Sequence, residues 1–340
     1  MNINLLNNEY FAKWNEYVDQ HPEATICQRA EWKMVLEQVY GFDTYYFFVE
    51  ENGVIKGILP LARAKTLFFG DNLISTPFCV YGGVCADNDE IKSLLRKKAI
   101  AQAKELKLGY VELRDSVLGN DNWHVKEHYY TFRKEIDSDP DVNMKNIPRK
   151  QRAMIRKGID AGLESRINNN VDDFYRVYSV NMRNLGTPVY PKKYFQTLMK
   201  VFADNCNILM VYKNDVAISG VFSFYFRNTV LPYYGGGLPD ARRFKAYDFM
   251  YWELMQNACA RGISCFDFGR SIIGAGSFSF KKNWGFEPER LYYQQYMINA
   301  KESPDISPLD KKYQRYIAVW KRLPLFLANK IGPIISKGLG

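Results

Sequence analysis

Two stretches of the sequence, YFFVEENGVIKGILPL at residues 46–61 and ILMVYKNDVAISGVFSF at 208–224, share one pattern. In each, two apolar runs flank a short polar turn. The Asn52-Gly53 step of the first stretch suits a type I′ turn, which joins neighbouring antiparallel strands. The second stretch follows the same pattern around Lys213-Asn214-Asp215. Each stretch is therefore predicted to be a β-hairpin.

The same three elements follow each hairpin: a strand that ends in glycines after an aromatic residue, a helix, and a second strand. They are predicted at 75–84, 90–107 and 109–114 in the first copy, and at 230–237, 247–260 and 262–270 in the second. The interval from Gly83 to Gly109 is 26 residues, and the interval from Gly236 to Gly262 is also 26. Matching order and spacing indicate an internal duplication.

Each copy is predicted to form a mixed sheet flanked by helices, an α/β or α+β arrangement with a right-handed parallel crossover. This element order resembles the GNAT acyltransferase fold, so the chain is expected to hold two tandem GNAT-like domains. We assign these to residues 1–144 and 166–300. A basic inter-domain segment at 145–165 joins them, and a basic amphipathic tail at 301–340 follows.

Several classes of site are disfavoured by the residue inventory. The six cysteines form no Cys-x-x-Cys pair, and their mostly apolar neighbours favour reduced thiols in a cytosolic protein. His124 and His128 can share a helix face but lack an evident third ligand, so no metal site is expected. No Gly-x-Ser-x-Gly elbow occurs. No run of 18 or more apolar residues and no secretory signal are found, which indicates a cytoplasmic protein.

The stretch FDFGRSIIGAGSFSFKKNWGFEPERLYY at 266–293 resembles the signature of the FemAB family. Members of that family carry two acetyltransferase-like domains and transfer aminoacyl groups from tRNA onto peptidoglycan precursors. Four further stretches, at 57–62, 75–84, 110–114 and 181–191, are similar to FemAB-related proteins encoded with exosortase (PEP-CTERM) and exopolysaccharide systems. The long coiled-coil arm of some members has no counterpart, because sustained heptads do not occur.

The family motif Phe-Lys-x-x-Phe/Trp-Gly falls on Phe280, Lys281, Trp284 and Gly285. The resemblance implies that Lys281 stabilises the oxyanion formed in acyl transfer, and that Phe280 and Trp284 shape the donor pocket. One positioned donor of this kind contributes about 10²–10³ in rate. Lys282 is the alternative donor. The competing interpretation places both lysines on a solvated strand edge.

Asp267 and Arg270 lie at the predicted end of the strand of the second copy, a common ligand position in such sheets. Asp267 is either a general base for the acceptor amine or a structural carboxylate that pairs with Arg270 or a lysine. Arg270 either binds a carboxylate or phosphate bidentately or forms a surface ion pair. The Gly/Ser-rich stretch 271–279 either closes over substrate or merely connects two elements.

Arg243 and Lys245 precede the helix of the second copy, where GNAT proteins bind the pyrophosphate of coenzyme A on backbone N–H groups. The usual Arg-x-x-Gly-x-Gly/Ala pattern is degraded here to RFKAYD at 243–248. Phosphate binding by Arg243 and Lys245 is still expected, while coenzyme A in its standard pose is disfavoured. The equivalent stretch of the first copy, ADNDEI at 86–91, is acidic, so the first copy is expected to position the acceptor.

Three tyrosines flank the predicted clefts: Tyr81 in the first copy, with Tyr233 and Tyr234 in the second. They either stack on sugars and hydrogen-bond substrate or pack at strand ends.

The formal net charge of +9 is concentrated in two segments. Residues 145–157 carry six Lys/Arg and no acid, and 311–340 carry seven and no acid, while acids outnumber bases elsewhere. On a helix, Arg149, Arg152 and Arg156 share one face, which either tracks phosphates of tRNA or an anionic lipid-linked precursor or is simply solvated.

The C-terminal segment at 309–340 combines this charge with an apolar helical stripe. The stripe consists of Leu309, Tyr313, Tyr316, Ile317 and Trp320. Such a segment is typical either of an interfacial membrane helix with a basic belt or of a helix docked on the domain core.

These features predict a cytoplasmic two-domain acyltransferase that forms an amide on a cell-envelope or exopolysaccharide precursor. It would hold no bound cofactor and no metal, and would use aminoacyl-tRNA or acyl-CoA as co-substrate. Its location would be the cytoplasm, with peripheral contact to the inner face of the cytoplasmic membrane through 309–340. The alternatives are an acyl-CoA-dependent N-acyltransferase of amino acids or sugar amines, and a non-catalytic membrane-associated scaffold.

Overall fold

The elements of the first part of the chain follow the predicted order. The computed structural model describes residues 2–66, 70–115, 118, 123–301 and 310–338. Its first elements are β1 (Asn2–Leu5), α1 (Phe11–Gln20), α2 (Glu31–Val35), β2 (Asp43–Glu51), β3 (Val54–Thr66), β4 (Gly70–Ser75), β5 (Cys85–Ala86), α3 (Asp89–Glu105), β6 (Tyr110–Asp115) and β7 (His124–Lys126). A π-helical turn at Leu36–Tyr40 continues α2.

The rest of the chain repeats the order after two helices of the basic segment. Its elements are β8 (Tyr129–Glu135), α4 (Pro140–Asn146), α5 (Arg149–Asp160), β9 (Leu163–Ile167), α6 (Val171–Leu185), α7 (Lys192–Phe202), β10 (Cys206–Lys213), β11 (Val216–Phe226), β12 (Thr229–Gly237), α8 (Pro239–Arg243), α9 (Ala246–Ala260), β13 (Cys265–Asp267), β14 (Ser271–Ile272), α10 (Gly276–Asn283), β15 (Pro288–Arg290), β16 (Tyr292–Met297), α11 (Lys311–Trp320) and α12 (Leu325–Ser336). Leu309, the first member of the predicted C-terminal stripe, lies outside the described residues.

Both predicted hairpins are confirmed, and their turns have the expected backbone. In the β2–β3 turn, Asn52 and Gly53 have φ of 51° and 81°. In the β10–β11 turn, Asn214 and Asp215 have φ of 50° and 60°. Two consecutive residues with positive φ define the type I′ geometry, whose twist matches that of the flanking strands.

Two mixed sheets organise the chain, each flanked by helices as predicted. The strand order is β1-β2-β3-β4-β6-β16-β7 in the first sheet, with β5 paired to β3. It is β14-β8-β13-β12-β11-β10-β9 in the second, with β15 paired to β8. The parallel pairs are β4 with β6 and β12 with β13, the two strand–helix–strand crossovers of the duplication.

The two compact units are discontinuous in sequence. Unit 1 comprises Met1–Tyr129, Arg290–Asp305 and Ile335–Gly340, and unit 2 comprises Tyr130–Glu289 and Ile306–Ile334. They differ from the contiguous ranges 1–144 and 166–300 because each sheet takes in a strand from outside its own repeat. β16 pairs with β6 in the first sheet, and β8 pairs with β13 in the second.

The strand predicted at 75–84 is wrong, whereas its counterpart at 230–237 is confirmed as β12. β4 ends at Ser75, and no strand follows before β5. Thr76 and Phe78 have φ of 35° and 72° and flank Pro77, so the backbone cannot continue an extended path. The segment 76–84 is nevertheless buried throughout.

His124 and His128 do not share a helix face, because His124 lies in strand β7. In the described part of the chain, no group of three or more His, Cys, Asp or Glu side chains is arranged to hold a metal ion. The six cysteines are thiols outside any disulfide, and five of them are buried. None of the helices among the described residues is long and apolar enough to cross a membrane.

In unit 2 the parallel pairing of β12 with β13 is short. It comprises Thr229↔Cys265 and Val230↔Phe266. β12 itself continues to Gly237, paired with β11 on its other side. Beyond these two pairs β13 continues along β8 while β12 continues along β11, so the two strands separate at the carboxyl end of β13.

A buried ion pair stabilises the core of unit 1. The Asp115 carboxylate accepts hydrogen bonds from Arg96 Nη2 at 2.6 Å, the Val84 backbone N–H at 3.0 Å and Gln294 Nε2 at 2.9 Å. Arg96 and Asp115 are 3% and 7% exposed. Gln294 belongs to β16, so the pair also anchors the strand that returns from the far end of the chain.

We expect Arg96→Met to lower the free energy of unfolding by about 3–5 kcal/mol, because it leaves the Asp115 carboxylate buried without its cation. Lys97→Met changes an exposed residue of the same helix and should have little effect. Urea denaturation measures both, and Arg96→Met/Asp115→Asn should recover part of the loss. A loss equal to that of Lys97→Met would contradict the structural role of the pair.

Candidate functional site

The carboxyl end of β13 contacts two helices, α9 and α10. Phe268 packs against Tyr251 of α9, and Lys281 of α10 donates to the Gly269 and Arg270 carbonyl oxygens. α9 also approaches β12 closely, because a Cβ on Gly235 would lie 3.0 Å from the Tyr251 hydroxyl. One strand end and two helices therefore meet at the sequence motif that resembles the FemAB signature.

Asp267 closes a tight turn at the end of β13. Its Oδ1 accepts hydrogen bonds from the Gly269 N–H at 2.7 Å and from Thr131 Oγ1 at 3.0 Å. Gly269 has φ of 66°, a left-handed conformation that glycine adopts at little cost. Asp267 is 2% exposed. The hydrogen bonds of this carboxylate thus fix the path of the chain into Arg270.

Lys281 lies on α10, not on a strand edge, and its ammonium group is enclosed. Nζ donates hydrogen bonds to the carbonyl oxygens of Gly269 at 2.8 Å and Arg270 at 3.0 Å. Burial lowers the pKa of Lys281 to about 7; the Asp267 carboxylate opposes this shift, and the Arg270 cation contributes to it. The neighbouring Lys282, the alternative donor in the sequence, is exposed.

An aromatic cluster packs beneath this lysine. It contains Tyr251 from α9, Phe268 from the end of β13, and Phe280 and Trp284 from the motif. The ring centroids of Tyr251 are 5.0 Å from Phe268 and 5.6 Å from Phe280, and those of Phe280 and Trp284 are 6.2 Å apart. Phe280 is half-buried and Trp284 is fully buried. Phe280 is therefore the motif aromatic with exposed surface.

Trp284 connects the motif to the start of α9. Its indole Nε1 donates to Asp248 Oδ1 at 3.1 Å, and Gln151 Nε2 from α5 donates to the same oxygen at 2.8 Å. Burial raises the pKa of Asp248 above its usual value, although both donors oppose the rise. Asp248 is an acid in the first turn of α9, where GNAT proteins bind pyrophosphate.

Arg243 and Lys245 stand at the approach to α9. Arg243 is exposed, and its guanidinium lies 5.2 Å from the centre of the Phe244 ring. Lys245 is half-buried and caps α9 with φ of 59°. Both basic side chains thus lie where an anionic ligand would meet the helix N-terminus, beside the acid that sequence reasoning did not single out.

The predicted tyrosines occupy different environments. Tyr234 is buried, and its hydroxyl hydrogen-bonds that of Tyr194 at 2.7 Å. Tyr233 is half-buried and packs 5.3 Å from Phe224. In unit 1, buried Tyr81 lines a cavity of about 20 Å³ together with Arg114. Packing at strand ends accounts for Tyr234, while Tyr233 keeps exposed surface.

Sequence reasoning identified Lys281, Asp267, Arg270, Phe280 and Trp284, which the fold brings together at the end of β13. It missed Tyr251, Asp248 and the two residues that hold the acids in place, Thr131 and Gln151. Asp248 had a recognisable signal, because it stands in the degraded phosphate loop. Thr131 and Gln151 carry no motif, and only the tertiary structure reveals their role.

Comparisons with known proteins agree with the fold. Residues 144–282 match the family model described as the acetyltransferase (GNAT) domain. FemX aligns with a TM-score of 0.70 and 15% identity, over 88% of this chain and 98% of FemX. The chain has a tandem GNAT fold. The resemblance to the FemAB family is thereby confirmed at the level of the fold, while membership of the exosortase-associated subgroup stays a prediction.

Two further solved structures are similar to this chain. A tandem GNAT protein from the clavulanic acid biosynthesis pathway has a TM-score of 0.56 and 10% identity, over 87% of this chain and 98% of that one. The C-terminal domain of a proposed lysylphosphatidylglycerol synthetase from Agrobacterium fabrum has a TM-score of 0.57 and 12% identity, over 85% and 92%. The search of curated protein sequences gave no match.

The Trp284–Asp248 hydrogen bond gives a test of how the motif is anchored. Trp284→Phe keeps an aromatic ring but removes the N–H that Asp248 accepts in the interior. We expect the free energy of unfolding to fall by about 1–3 kcal/mol, because the buried Asp248 carboxyl group loses one of its two side-chain donors and keeps Gln151, in addition to the loss of ring volume. Thermal and chemical denaturation measure this change.

The matched control is Trp284→Phe in an Asp248→Leu background, where no acceptor is left to lose its partner. The indole N–H should then contribute little, so the second substitution should cost less than it does alone. Equal costs in the two backgrounds would show that Trp284 acts through ring packing only.

Proposed function

We propose that this tandem GNAT protein is an acyltransferase that joins an aminoacyl or acyl group to the amine of a cell-envelope or exopolysaccharide precursor. The observation that supports this most is the buried ammonium of Lys281, which lies at the diverging strands with its pKa lowered to about 7. Perturbed titratable groups of this kind are concentrated at functional sites. The metal-free chemistry of amide formation suits the residues of the site.

In the proposed reaction, the acceptor amine attacks the carbonyl carbon of the donor ester or thioester. A C–N bond forms, and the carbonyl electrons move to oxygen to give a tetrahedral oxyanion. The oxyanion collapses, the bond to the leaving oxygen or sulfur breaks, and the proton lost by the amine is taken up by the leaving group. Two N–H groups of Lys281 are engaged by Gly269 and Arg270, and the third is the donor proposed for the oxyanion.

The other site residues support that donor. Asp267 favours the charged form of Lys281 and fixes the turn whose carbonyls accept from it. Because its Oδ1 accepts from the Gly269 N–H and from Thr131 Oγ1, we assign Asp267 a positioning role in preference to a general base. Phe280 and Tyr233 offer half-exposed aromatic surface to the substrates, and Arg270 supplies a cation for a carboxylate or phosphate. Trp284, Tyr234 and Tyr81 act from within the protein.

For the donor, we favour aminoacyl-tRNA. The first turn of α9 already contains the Asp248 carboxyl group, which competes with a pyrophosphate for the helix N-terminus. The Gln151–Asp248 hydrogen bond brings the start of α5 against that of α9. Arg149 and Arg156 are exposed on α5, so cations of α5 and of the approach to α9 are available to RNA phosphates.

Acyl-CoA is the second candidate donor. It is favoured by the family model of the acetyltransferase (GNAT) domain that residues 144–282 match, and by Arg243 and Lys245 at the start of α9. In that case the acceptors would be amino acids or sugar amines. A third candidate, a non-catalytic scaffold at the membrane, leaves the burial of Lys281 unexplained.

The acceptor and the location follow from the sequence resemblance and from the charge. An amine-bearing envelope or polysaccharide precursor is proposed because the stretches at 57–62 and 181–191 are similar to proteins encoded with exopolysaccharide systems. Such precursors are made at the inner face of the cytoplasmic membrane, where a cytoplasmic protein meets them. Contact of the 309–340 segment with that membrane has an independent basis in the C-terminal helices.

Lys281→Met is expected to lower kcat for acyl transfer by about 10²–10³, the effect of removing one oxyanion donor. Lys282→Met is the matched control, since it removes the adjacent exposed lysine, and it should retain activity. Single-turnover transfer from each donor to an amine acceptor measures the rate, and circular dichroism verifies folding. Full activity of a folded Lys281→Met protein would refute the catalytic role.

The pH dependence distinguishes an ammonium donor from a neutral lysine base. The pKa of Lys281 is about 7, so the ammonium form predominates below that pH and is lost above it. We expect the ratio of wild-type to Lys281→Met kcat/KM to be constant below pH 7 and to fall about tenfold per unit above it. The ratio cancels the titration of the acceptor amine. A ratio that rises with pH would assign Lys281 as a base.

Competition between donors tests the preference for tRNA. With both donors present, we expect the purified protein to consume labelled aminoacyl-tRNA and to leave acyl-CoA intact. Arg149→Glu/Arg156→Glu should raise the KM for aminoacyl-tRNA and leave the kcat of transfer unchanged. Consumption of acyl-CoA alone, unaffected by that double substitution, would show that the second candidate is correct.

A further inference from the structure

The C-terminal helices of unit 2 have one face packed against the protein. Ile317 of α11 fills the space beside Gly186, where an added Cβ would lie 2.5 Å from its Cγ2. Arg183 Nη1 donates to the Leu323 carbonyl oxygen at 3.2 Å. In α12, an added Cβ on Gly332 would lie 2.9 Å from the Val189 backbone nitrogen. The docked-helix interpretation is therefore correct for this inner face.

The opposite face of α12 is apolar and exposed. Ala328 is 1% exposed and Gly332 is buried, and both lie on one side of the helix, four residues apart. Phe326 and Ile334 are each 70% exposed and flank exposed Lys330 at the same spacing. An offset of two residues turns about 200° around a helix, so these two rows lie on opposite sides.

The outer side of α11 has the same composition. Tyr316 is 71% exposed and Val319 is 64% exposed. Arg315 and Arg322 are exposed next to them. We define the outer face as seven exposed residues of α11, α12 and the turn between them: Arg315, Tyr316, Val319, Arg322, Phe326, Lys330 and Ile334.

The chemistry of the outer face specifies its partner. Large apolar side chains and cations alternate on it, and no acid occurs anywhere in residues 311–340. The apolar core of a protein interface is depleted of charged residues, lysine among them, whereas Lys330 lies between Phe326 and Ile334 on this face. A bilayer with anionic lipids complements both parts, because apolar side chains enter the headgroup–acyl boundary while cations meet lipid phosphates.

The lengths of the helices fix the mode of contact. α11 has 10 residues and α12 has 12. They extend roughly 15 and 18 Å, well short of a hydrocarbon core of about 30 Å. Both helices are also packed on unit 2 along their inner sides. We propose that the outer face rests on an anionic phospholipid bilayer, with α11 and α12 lying in the plane of its surface and unit 2 on the aqueous side.

This proposal does not rest on the acyltransferase activity, and its test uses no catalytic readout. Full-length protein is sedimented with vesicles of phosphatidylcholine containing phosphatidylglycerol, and with vesicles of phosphatidylcholine alone. We expect binding to the anionic vesicles and a decrease with added salt. Arg315→Gln/Arg322→Gln should weaken binding by about fivefold for each cation removed.

The apolar contribution is tested with Phe326→Ser/Ile334→Ser, for which we expect at least a tenfold loss of vesicle binding. The matched control is Val54→Ser/Val216→Ser, which changes two exposed apolar residues, 54% and 55% exposed, at the first positions of β3 and β11. It should bind as the unaltered protein does. Equal thermal stability of the variants verifies that the exposed substitutions leave folding intact.

Equal vesicle binding by Phe326→Ser/Ile334→Ser and by Val54→Ser/Val216→Ser would overturn the proposal. Equal binding of the unaltered protein to vesicles with and without phosphatidylglycerol would overturn it as well. Sedimentation velocity of the unaltered protein covers the competing occupant. A dimer that Phe326→Ser/Ile334→Ser dissociates, in a protein that does not bind vesicles, would assign the outer face to a second copy of the chain.

Discussion

The interaction on which the candidate site depends is the pair of hydrogen bonds from the Lys281 ammonium to the carbonyl oxygens of Gly269 and Arg270. A buried ammonium loses its hydration, and it is retained only where acceptors and an anion replace the lost water. The turn at the end of β13 provides two carbonyls, and Asp267 provides the anion. That turn forms because Gly269 adopts a left-handed conformation under the Asp267 carboxylate. The lysine, the turn and the acid therefore depend on one another.

The separation of β12 from β13 determines where this lysine, turn and acid lie in the fold. Continued pairing would cover the end of β13 with backbone, whereas two parallel pairs leave the strand end facing α9 and α10. The aromatic cluster fills the space below, and the Trp284–Asp248–Gln151 hydrogen bonds attach α10 to α9 and α5. Gly285 follows α10 with φ of 78°, close against Pro148, which explains the glycine of the motif.

Local signals in the sequence were sufficient for much of the fold. The hairpins follow from residues such as Asn52 and Gly53 that tolerate positive φ, and α3 and α9 follow from periodicity and matched spacing. The places of β8 and β16 in the two sheets could not be predicted, because each of these strands pairs with residues more than a hundred positions away in the sequence. The strand predicted at 75–84 is wrong because Thr76 and Phe78 have positive φ, and their residue types do not indicate this conformation.

The site shows the same division. The motif identified Lys281, but adjacent Lys281 and Lys282 are indistinguishable in composition, and only helix α10 decides that one is buried and the other exposed. The sequence left Asp267 as a base or a structural carboxylate, and its hydrogen bonds with Gly269 and Thr131 support the positioning role that we propose. Burial also explains why Tyr234 is a packing residue. Enclosure is a tertiary property, so it determines which motif residues reach substrate.

The central claim, that Lys281 is an enclosed ammonium tuned by its surroundings, is tested most directly by its own titration. NMR of protein labelled in the lysine side chains follows each amine through pH, and loss of one resonance in Lys281→Arg assigns the signal. We predict a midpoint near pH 7, well below the other lysines, because burial lowers the pKa of Lys281 to about 7. A midpoint in the usual lysine range near 10.4 would contradict the account.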